Sequence, residues 1–191
     1  MKQKRKKLLD EVRQNFVSIV WTHKIHEKQA DIYAAKYKFY ELLNIFFTGF
    51  TSCGVITIFF CDEYIAKVIT VLISFATFIL VTYLHTFKIK DMEQQHRVAA
   101  RKFIIIRNQL LHIIVELHLK VKLKQVTLEY EKILNNLNQL YLEVPSTTDE
   151  AVKSASNALK FKKDYTYTDR DIDQFLPNSL RTRINLKDVI I

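Results

Sequence analysis

The sequence predicts an all-α fold: a two-span transmembrane helical hairpin with long cytoplasmic helical extensions and a small C-terminal α tail. Two uncharged runs of 20 residues, 42–61 and 68–87, provide the main evidence. A bilayer core about 30 Å thick needs about 20 apolar residues of helix. Residues 62–67 form the only connection, so the chain must turn straight back. The alternative is a buried hairpin in a soluble bundle, but the remaining chain is too short to wrap two helices that are apolar all round.

Glycine and proline support the same class, because two of each are too few for a turn-rich sheet protein. We expect one domain over residues 1–183, with a tail at 184–191. Within it, residues 1–41 form a cytoplasmic helix, 62–67 the outer turn and 88–183 further cytoplasmic helices. Tyr37, Phe39 and Tyr40 lie where an aromatic belt meets the membrane surface.

Apolar side chains recur at alternating steps of three and four, which predicts helices that pack along a seam. One stripe runs from Leu9 to Tyr40 and includes His23 and His26. The second span is predicted to continue as one helix to about residue 119. Its stripe runs from Met92 to Leu117 and includes His96. The candidate seam on this stripe consists of Met92, Ala99, Phe103, Ile106, Leu110, Ile113 and Leu117.

Three shorter helices are predicted after this seam. One spans residues 122–142 and is ended by Pro145. Thr147 and Glu150 have the spacing of a capping box at the start of the next. A last short helix is predicted at 168–175, closed by Pro177.

The formal net charge of +9 suggests either nucleic-acid binding or membrane topology. Ten Lys or Arg residues precede the first span and six lie in residues 88–107, whereas the turn carries only Lys67. Because basic residues collect on the cytoplasmic side, both termini are predicted to be cytoplasmic and no nucleic acid is expected. The cluster at residues 2–7 is also placed to rest on anionic lipid headgroups.

Polar residues in the spans are the candidate pore lining. They fall at steps of four and three on one face of each span: Asn44, Thr48 and Thr51, then Thr70, Ser74 and Thr77. In a ring of hairpins, such stripes can face water. The alternative is that the hydroxyls bond to their own backbone or join neighbouring helices. Gly49, Cys53 and Gly54 are candidates for a close helix–helix contact.

Evidence for chemistry is almost absent, so no enzyme, cofactor or metal is expected. His23 and His26 share a helix face, but no cysteine or paired acid completes a zinc site nearby. Asp169, Asp171 and Asp173 alternate without the glycine and glutamate of a calcium loop. The cysteines, Cys53 and Cys61, lie about 12 Å apart on one helix, too far for a disulfide.

The order of several local segments resembles the SLATT-domain family, bacterial two-span effectors found beside nucleotide-signalling and reverse-transcriptase modules. These segments are residues 20–22, 107–111, 129–160 and 171–181, and the resemblance covers about residues 15–183. It implies a non-catalytic protein of the bacterial inner membrane that forms pores to kill or arrest an infected cell. The implied partners are the lipid bilayer, further copies of the chain, and a cytoplasmic sensor or nucleotide-signalling or reverse-transcriptase protein. A holin-like protein and a membrane-anchored scaffold without a pore remain alternatives.

Overall fold

The computed structural model describes residues 2–60, 63–165 and 168, and its regular elements in these residues are all helical. The all-α prediction is therefore confirmed. The elements are α1 (Lys2–Phe60), α2 (Tyr64–Phe87), α3 (Ile89–His118), α4 (Leu123–Glu143) and α5 (Asp149–Ser156), followed by a π-helical turn at Asn157–Phe161. Residues Met1–Ala155 form one compact unit and Ser156–Ile191 a second. The prediction of one domain over residues 1–183 stays a prediction.

The first unit is a long antiparallel hairpin, in which α1 pairs first with α2 and then with α3. The contacts run in steady order: Gly54 meets Thr70, His26 meets His96, and Arg5 reaches the carbonyl of Leu117. Two helices of the hairpin are long and apolar enough to cross a membrane. Their apolar segments lie side by side, as the approach of Gly54 to Thr70 shows, and α1 is one uninterrupted helix of 59 residues.

Two predicted boundaries in this hairpin differ from the structure. Residues 64–67, predicted to belong to the outer turn, already form the first turn of α2, and the Lys67 amide donates to the Glu63 carbonyl. The second span does not continue unbroken, because Lys88 adopts the left-handed conformation (φ 45°) between α2 and α3. One left-handed residue interrupts the helical hydrogen-bond ladder, and no glycine or proline marks the position.

The core of the unit lies in its polar half, where α1, α3 and α4 meet. Its fully buried side chains include Val12 and Ile19 of α1, Phe103 and Leu110 of α3, and Val126 of α4. Burying a side chain of this size contributes about 1.5–3 kcal/mol. The predicted helix at 122–142 is observed within one residue at each end, as α4.

Polar contacts fix how α4 and α5 meet α1. Asn15 Nδ2 donates to the Tyr130 hydroxyl at 2.6 Å, and that hydroxyl lies 3.1 Å from Glu11 Oε1. Before α5, the backbone amide and the hydroxyl of Thr148 both donate to Gln29 Oε1 at 2.8 Å. The cap is therefore Thr148, whose carbonyl accepts from Val152, rather than the predicted Thr147. The predicted helix at 168–175 lies outside the described residues, apart from Thr168.

Candidate functional site

The polar stripes of the two spans lie largely in the seam between α1 and α2. Thr70 is buried, and Asn44, Thr51, Ser74 and Thr77 are half-buried between exposed apolar neighbours. Thr48 is the exception, because its side chain is exposed. Both stripes therefore face the other span of the same chain rather than open space.

Most of the hydroxyls in α2 are bonded to their own helix. Thr70 Oγ1, Ser74 Oγ and Thr77 Oγ1 each donate at 2.8 Å to the backbone carbonyl four residues earlier. Two α1 atoms differ: Asn44 Oδ1 and Thr51 Oγ1 are buried and have no hydrogen-bond partner within the described residues. In hydrocarbon such an orphaned polar atom costs several kcal/mol. The seam thus combines satisfied hydroxyls with two unsatisfied polar atoms.

The three candidate contact residues of α1 divide between two surfaces. A Cβ added at Gly54 would overlap the Thr70 hydroxyl, so the absence of a side chain here lets α1 and α2 approach. A Cβ added at Gly49 would meet nothing within 4 Å, and Cys53 is an exposed free thiol. Gly54 therefore closes the hairpin, whereas Gly49 and Cys53 lie on its outer surface.

Aromatic side chains join the helices where the apolar half of the hairpin meets the polar half. The rings of Tyr40 and Tyr83 lie edge to face with centroids 5.4 Å apart, and Phe87 lies 4.6 Å from Tyr83. Lys90 Nζ lies 5.6 Å from the centre of the Tyr37 ring. Tyrosines with a nearby lysine are typical of a membrane–water interface.

A buried histidine pair joins α1 to α3, about 14 Å beyond the end of α2 at 1.5 Å per residue. His26 Nδ1 and His96 Nδ1 are 2.9 Å apart, so one ring donates the hydrogen bond and the other accepts it. Phe103 stacks on His26 and Tyr33 stacks on His96, with ring centroids 5.3 Å and 5.6 Å apart. His96 Nε2 is buried without a hydrogen-bond partner in the described residues.

Burial keeps this pair uncharged. Desolvation, and then the proximity of His96 and His23, lowers the pKa of His26 to about 4. Burial also lowers the pKa of His96. The pKa of His23 is lowered by burial and by Arg107 and Lys24, against the opposing effect of Glu27. At neutral pH the cluster is therefore a set of neutral rings.

The predicted cytoplasmic seam is buried within the chain itself. Ala99, Phe103, Ile106, Leu110, Ile113 and Leu117 are all buried in α3, while Met92 is half-buried. His26 and Val12 lie on the α1 side and Tyr130 on the α4 side. The α3 seam could have packed against other copies of the chain, but in the single chain α1 and α4 already cover it.

No group of three or more His, Cys, Asp or Glu side chains in the described residues could hold a metal ion. His23 and His26, the histidines considered for zinc, belong to the cluster that packs α1 on α3. Helical spacing alone does not pair His26 with His96. Both histidines lie on predicted stripes. Aligning the two stripes in an antiparallel hairpin would have predicted that the two rings meet.

Comparison with known protein families identifies the family of the chain. Residues 8–171 match the family described as "SMODS and SLOG-associating 2TM effector domain family 4". The chain belongs to this SLATT family. The predicted resemblance is therefore confirmed, and the two apolar helices are the spans of a two-transmembrane effector domain.

No curated protein and no solved structure matches the chain. The SLATT match covers both spans, the histidine pair and α4, but begins after the basic residues 2–7. As a SLATT effector domain, the chain acts at a membrane and its family associates with SMODS and SLOG modules.

Proposed function

We propose that this SLATT protein is a membrane effector of bacterial antiphage defence, which oligomerises into a pore or otherwise disrupts the inner membrane and so causes abortive infection. The observation that carries the proposal is the meeting of two polar stripes inside an otherwise apolar hairpin, in a chain that belongs to a two-span effector family. The proposal needs no catalytic step, cofactor or metal.

Several copies are required, because one hairpin has no interior. In the single chain, no residue in the apolar window of α1 is fully buried, and only 6% of the window of α2 is. Two helices side by side enclose no path, whereas a ring of hairpins does. Gly49 and Cys53 provide an outer surface on which neighbouring helices can approach closely.

Separation of α1 from α2 would expose the two polar stripes, which would then form the wall of the pore. In the single chain, the α2 hydroxyls are satisfied by their own backbone, and the same hydroxyls can also accept hydrogen bonds from water. Asn44 Oδ1 and Thr51 Oγ1 gain partners only when water or another polar group reaches them. Part of the cost of separating α1 from α2 is thereby offset.

We propose that the activating signal acts on the polar half of the hairpin. There α1 already covers the predicted seam of α3 within one chain. Activation would therefore exchange contacts of α1 with α3 for contacts between chains or with a partner. The partner class we propose is a cytoplasmic nucleotide-signalling or reverse-transcriptase protein. The family's description supports the coarser statement that a partner exists, because it names association with SMODS and SLOG modules.

A membrane-anchored scaffold is the second candidate, because a seam that is mostly satisfied within one chain also suits a passive anchor. A holin-like protein fits less well, since the long packed bundle of α1, α3 and α4 would have no role. Membrane depolarisation separates the effector from the scaffold.

The test replaces Thr48, Ser74 and Thr77 with Val, which removes three hydroxyls from the proposed path. The change keeps the size of the two threonine side chains and adds one methyl group at Ser74. An apolar constriction can stop conduction by dewetting. We expect the triple variant to insert and crosslink like the parent but to lose depolarisation, read with a membrane-potential dye under activating conditions.

The matched control is Ser52→Ala with Thr57→Val and Thr82→Val, which removes three hydroxyls from exposed positions of the same helices. We expect the control to depolarise cells fully. Full depolarisation by the first variant would show that these side chains pack protein against protein. A parent that never depolarises cells would favour the scaffold.

A further inference from the structure

A strongly basic surface lies at the end of the hairpin opposite the spans. Residues 2–9 of α1 and 117–124 of the α3–α4 turn carry eight Lys or Arg residues and no Asp or Glu. We call these two segments the basic tip. The structure brings them together: Arg5 Nη1 donates to the Leu117 carbonyl at 3.1 Å, and Nη2 to the Val121 carbonyl at 2.6 Å.

Membrane topology does not account for the basic tip. The positive-inside bias acts within about 15–20 residues of a span, whereas Lys7 and Lys120 lie more than 30 residues from the spans. Along α1, Lys7 is about 50 Å from residue 42 at 1.5 Å per residue. The potential of anionic headgroups falls off within a Debye length, about 8 Å in physiological salt. The cluster at residues 2–7 therefore cannot rest on headgroups in this structure, contrary to the sequence prediction.

Helix stability does not account for the tip either. Lys120 follows the end of α3, where a positive charge suits the helix dipole. Lys122 and Lys124, however, lie at the start of α4, where acidic residues are favoured and none is present. Within the described residues, Lys4, Lys7, Lys122 and Lys124 are exposed and form no ion pair. These charges are left for an outside partner.

We propose that the basic tip binds the phosphate backbone of nucleic acid, without reading its sequence. Interfaces with nucleic acid are strongly positive, whereas lysine is depleted in interfaces between proteins. An acidic protein would also need apolar or aromatic anchors. The tip exposes Leu119 as its large hydrophobic side chain and has no aromatic residue, and its arginine is held by backbone carbonyls.

This inference is independent of pore formation. It reverses our expectation, drawn from the distribution of basic residues relative to the spans, that nucleic acid is not a partner. It places a nucleic-acid contact on the same compact unit as the spans, since Leu8, Leu9, Val121 and Leu123 pack the tip against the buried core. A bound polyanion would therefore act on the far end of α1, the helix that continues unbroken into the first span.

The experiment measures binding by the purified full chain in nanodiscs of zwitterionic lipid. Labelled single-stranded DNA, duplex DNA and RNA are titrated by fluorescence anisotropy between about 50 and about 200 mM salt. The tip variant carries Lys4→Gln, Lys7→Gln, Lys122→Gln and Lys124→Gln. The control variant removes four exposed charges elsewhere, by Lys36→Gln, Lys38→Gln, Arg101→Gln and Lys153→Gln.

We expect the parent and control to bind at least one nucleic acid with an affinity that falls steeply with salt. The tip variant should bind at least about tenfold more weakly, with a shallower salt dependence, because each neutralised phosphate contributes about 0.9 to the slope. Its melting temperature should not fall, since it removes cations from the start of α4.

Three results would overturn the proposal. One is a parent that binds none of the nucleic acids at low salt. Another is equal loss in the tip and control variants, which would mean that overall charge alone attracts the probe. The third is binding of labelled polyglutamate, or of vesicles containing phosphatidylglycerol, as tightly as nucleic acid, which would assign the tip to acidic protein or lipid.

Discussion

At the scale of single residues, the histidine pair couples the α1–α3 contact to pH. The neighbouring His23 acts on His26, and His23 is in turn influenced by Glu27 and Lys24 of α1 and by Arg107 of α3. Both rings are held neutral by burial, so a proton taken up by the pair must either charge a buried ring or separate the helices.

The sign of the resulting pH dependence follows from the direction of the pKa shifts. An unfolded histidine has a pKa of about 6.5, whereas the folded pKa of His26 is about 4. Below pH 6.5 the unfolded chain therefore binds more protons, and the stability present at neutral pH is progressively lost as the pH falls towards 4. We expect the melting temperature to fall between pH 7.5 and pH 5, and the double variant His26→Asn with His96→Asn to show a smaller fall.

The exposed His112, whose side chain has a relative accessibility of 65%, provides the control for this comparison. Its replacement by Asn removes an exposed histidine beside Glu116 but leaves the buried pair intact, and should change the dependence of melting temperature on pH less than the double variant does. If the double variant and the parent lose the same stability on acidification, carboxylates elsewhere are responsible and the pair has no part in the effect.

At the scale of elements, the two glycines of α1 allow two kinds of helix contact to be tested separately. Gly54 lies in the contact between the spans of one hairpin, and Gly49 lies on the surface that could contact another hairpin. Gly54→Leu forces a side chain into Thr70, so we expect the spans to separate and the monomer to become sensitive to protease in detergent. Gly49→Leu fills open space and should leave the monomer intact, yet weaken oligomers formed on that outer surface. Limited proteolysis and crosslinking in membranes measure the two effects separately.

The two variants act as controls for each other, because both place leucine in the same span. An unchanged crosslinking ladder for Gly49→Leu would show that this surface does not mediate assembly. Equal protease resistance of Gly54→Leu and the parent would show that close approach at Thr70 is not needed for the hairpin.

Periodicity defined these elements better than it defined their surroundings. The length and polarity of residues 42–61 and 68–87 were sufficient to predict two spans, because hydrocarbon thickness sets the length of a span. Whether Thr70 faces its own hairpin or a pore is decided by which helix covers it, and helical spacing does not contain that information. The cap at Thr148 depends likewise on Gln29, 119 positions away in sequence. The left-handed Lys88 has no sequence signal of its own.

At the scale of the whole molecule, the antiparallel hairpin links the orientation of both polar ends. The polar half of α1 pairs with α3, so the N-terminal segment and α4 must lie on the same side of the membrane. The basic residues within about 20 residues of the spans set which side, with four in residues 22–41 and six in residues 88–107 against one in the turn. We propose that this side is the cytoplasm of a bacterium and that the spans lie in its inner membrane.

Reporter fusions test this topology directly. A phosphatase that is active only outside the cytoplasm should be active when inserted after Glu63, where the turn is exposed. The same enzyme should be inactive when fused at either terminus, and a reporter that fluoresces only in the cytoplasm should give the opposite pattern.

Because Arg5 contacts the turn after α3, the two polar ends cannot lie on opposite sides while the hairpin is intact. Phosphatase activity at one terminus alone would therefore contradict the hairpin itself. Activity at both termini, without activity after Glu63, would keep the hairpin but reverse its orientation, and the basic tip would then lie outside the cytoplasm.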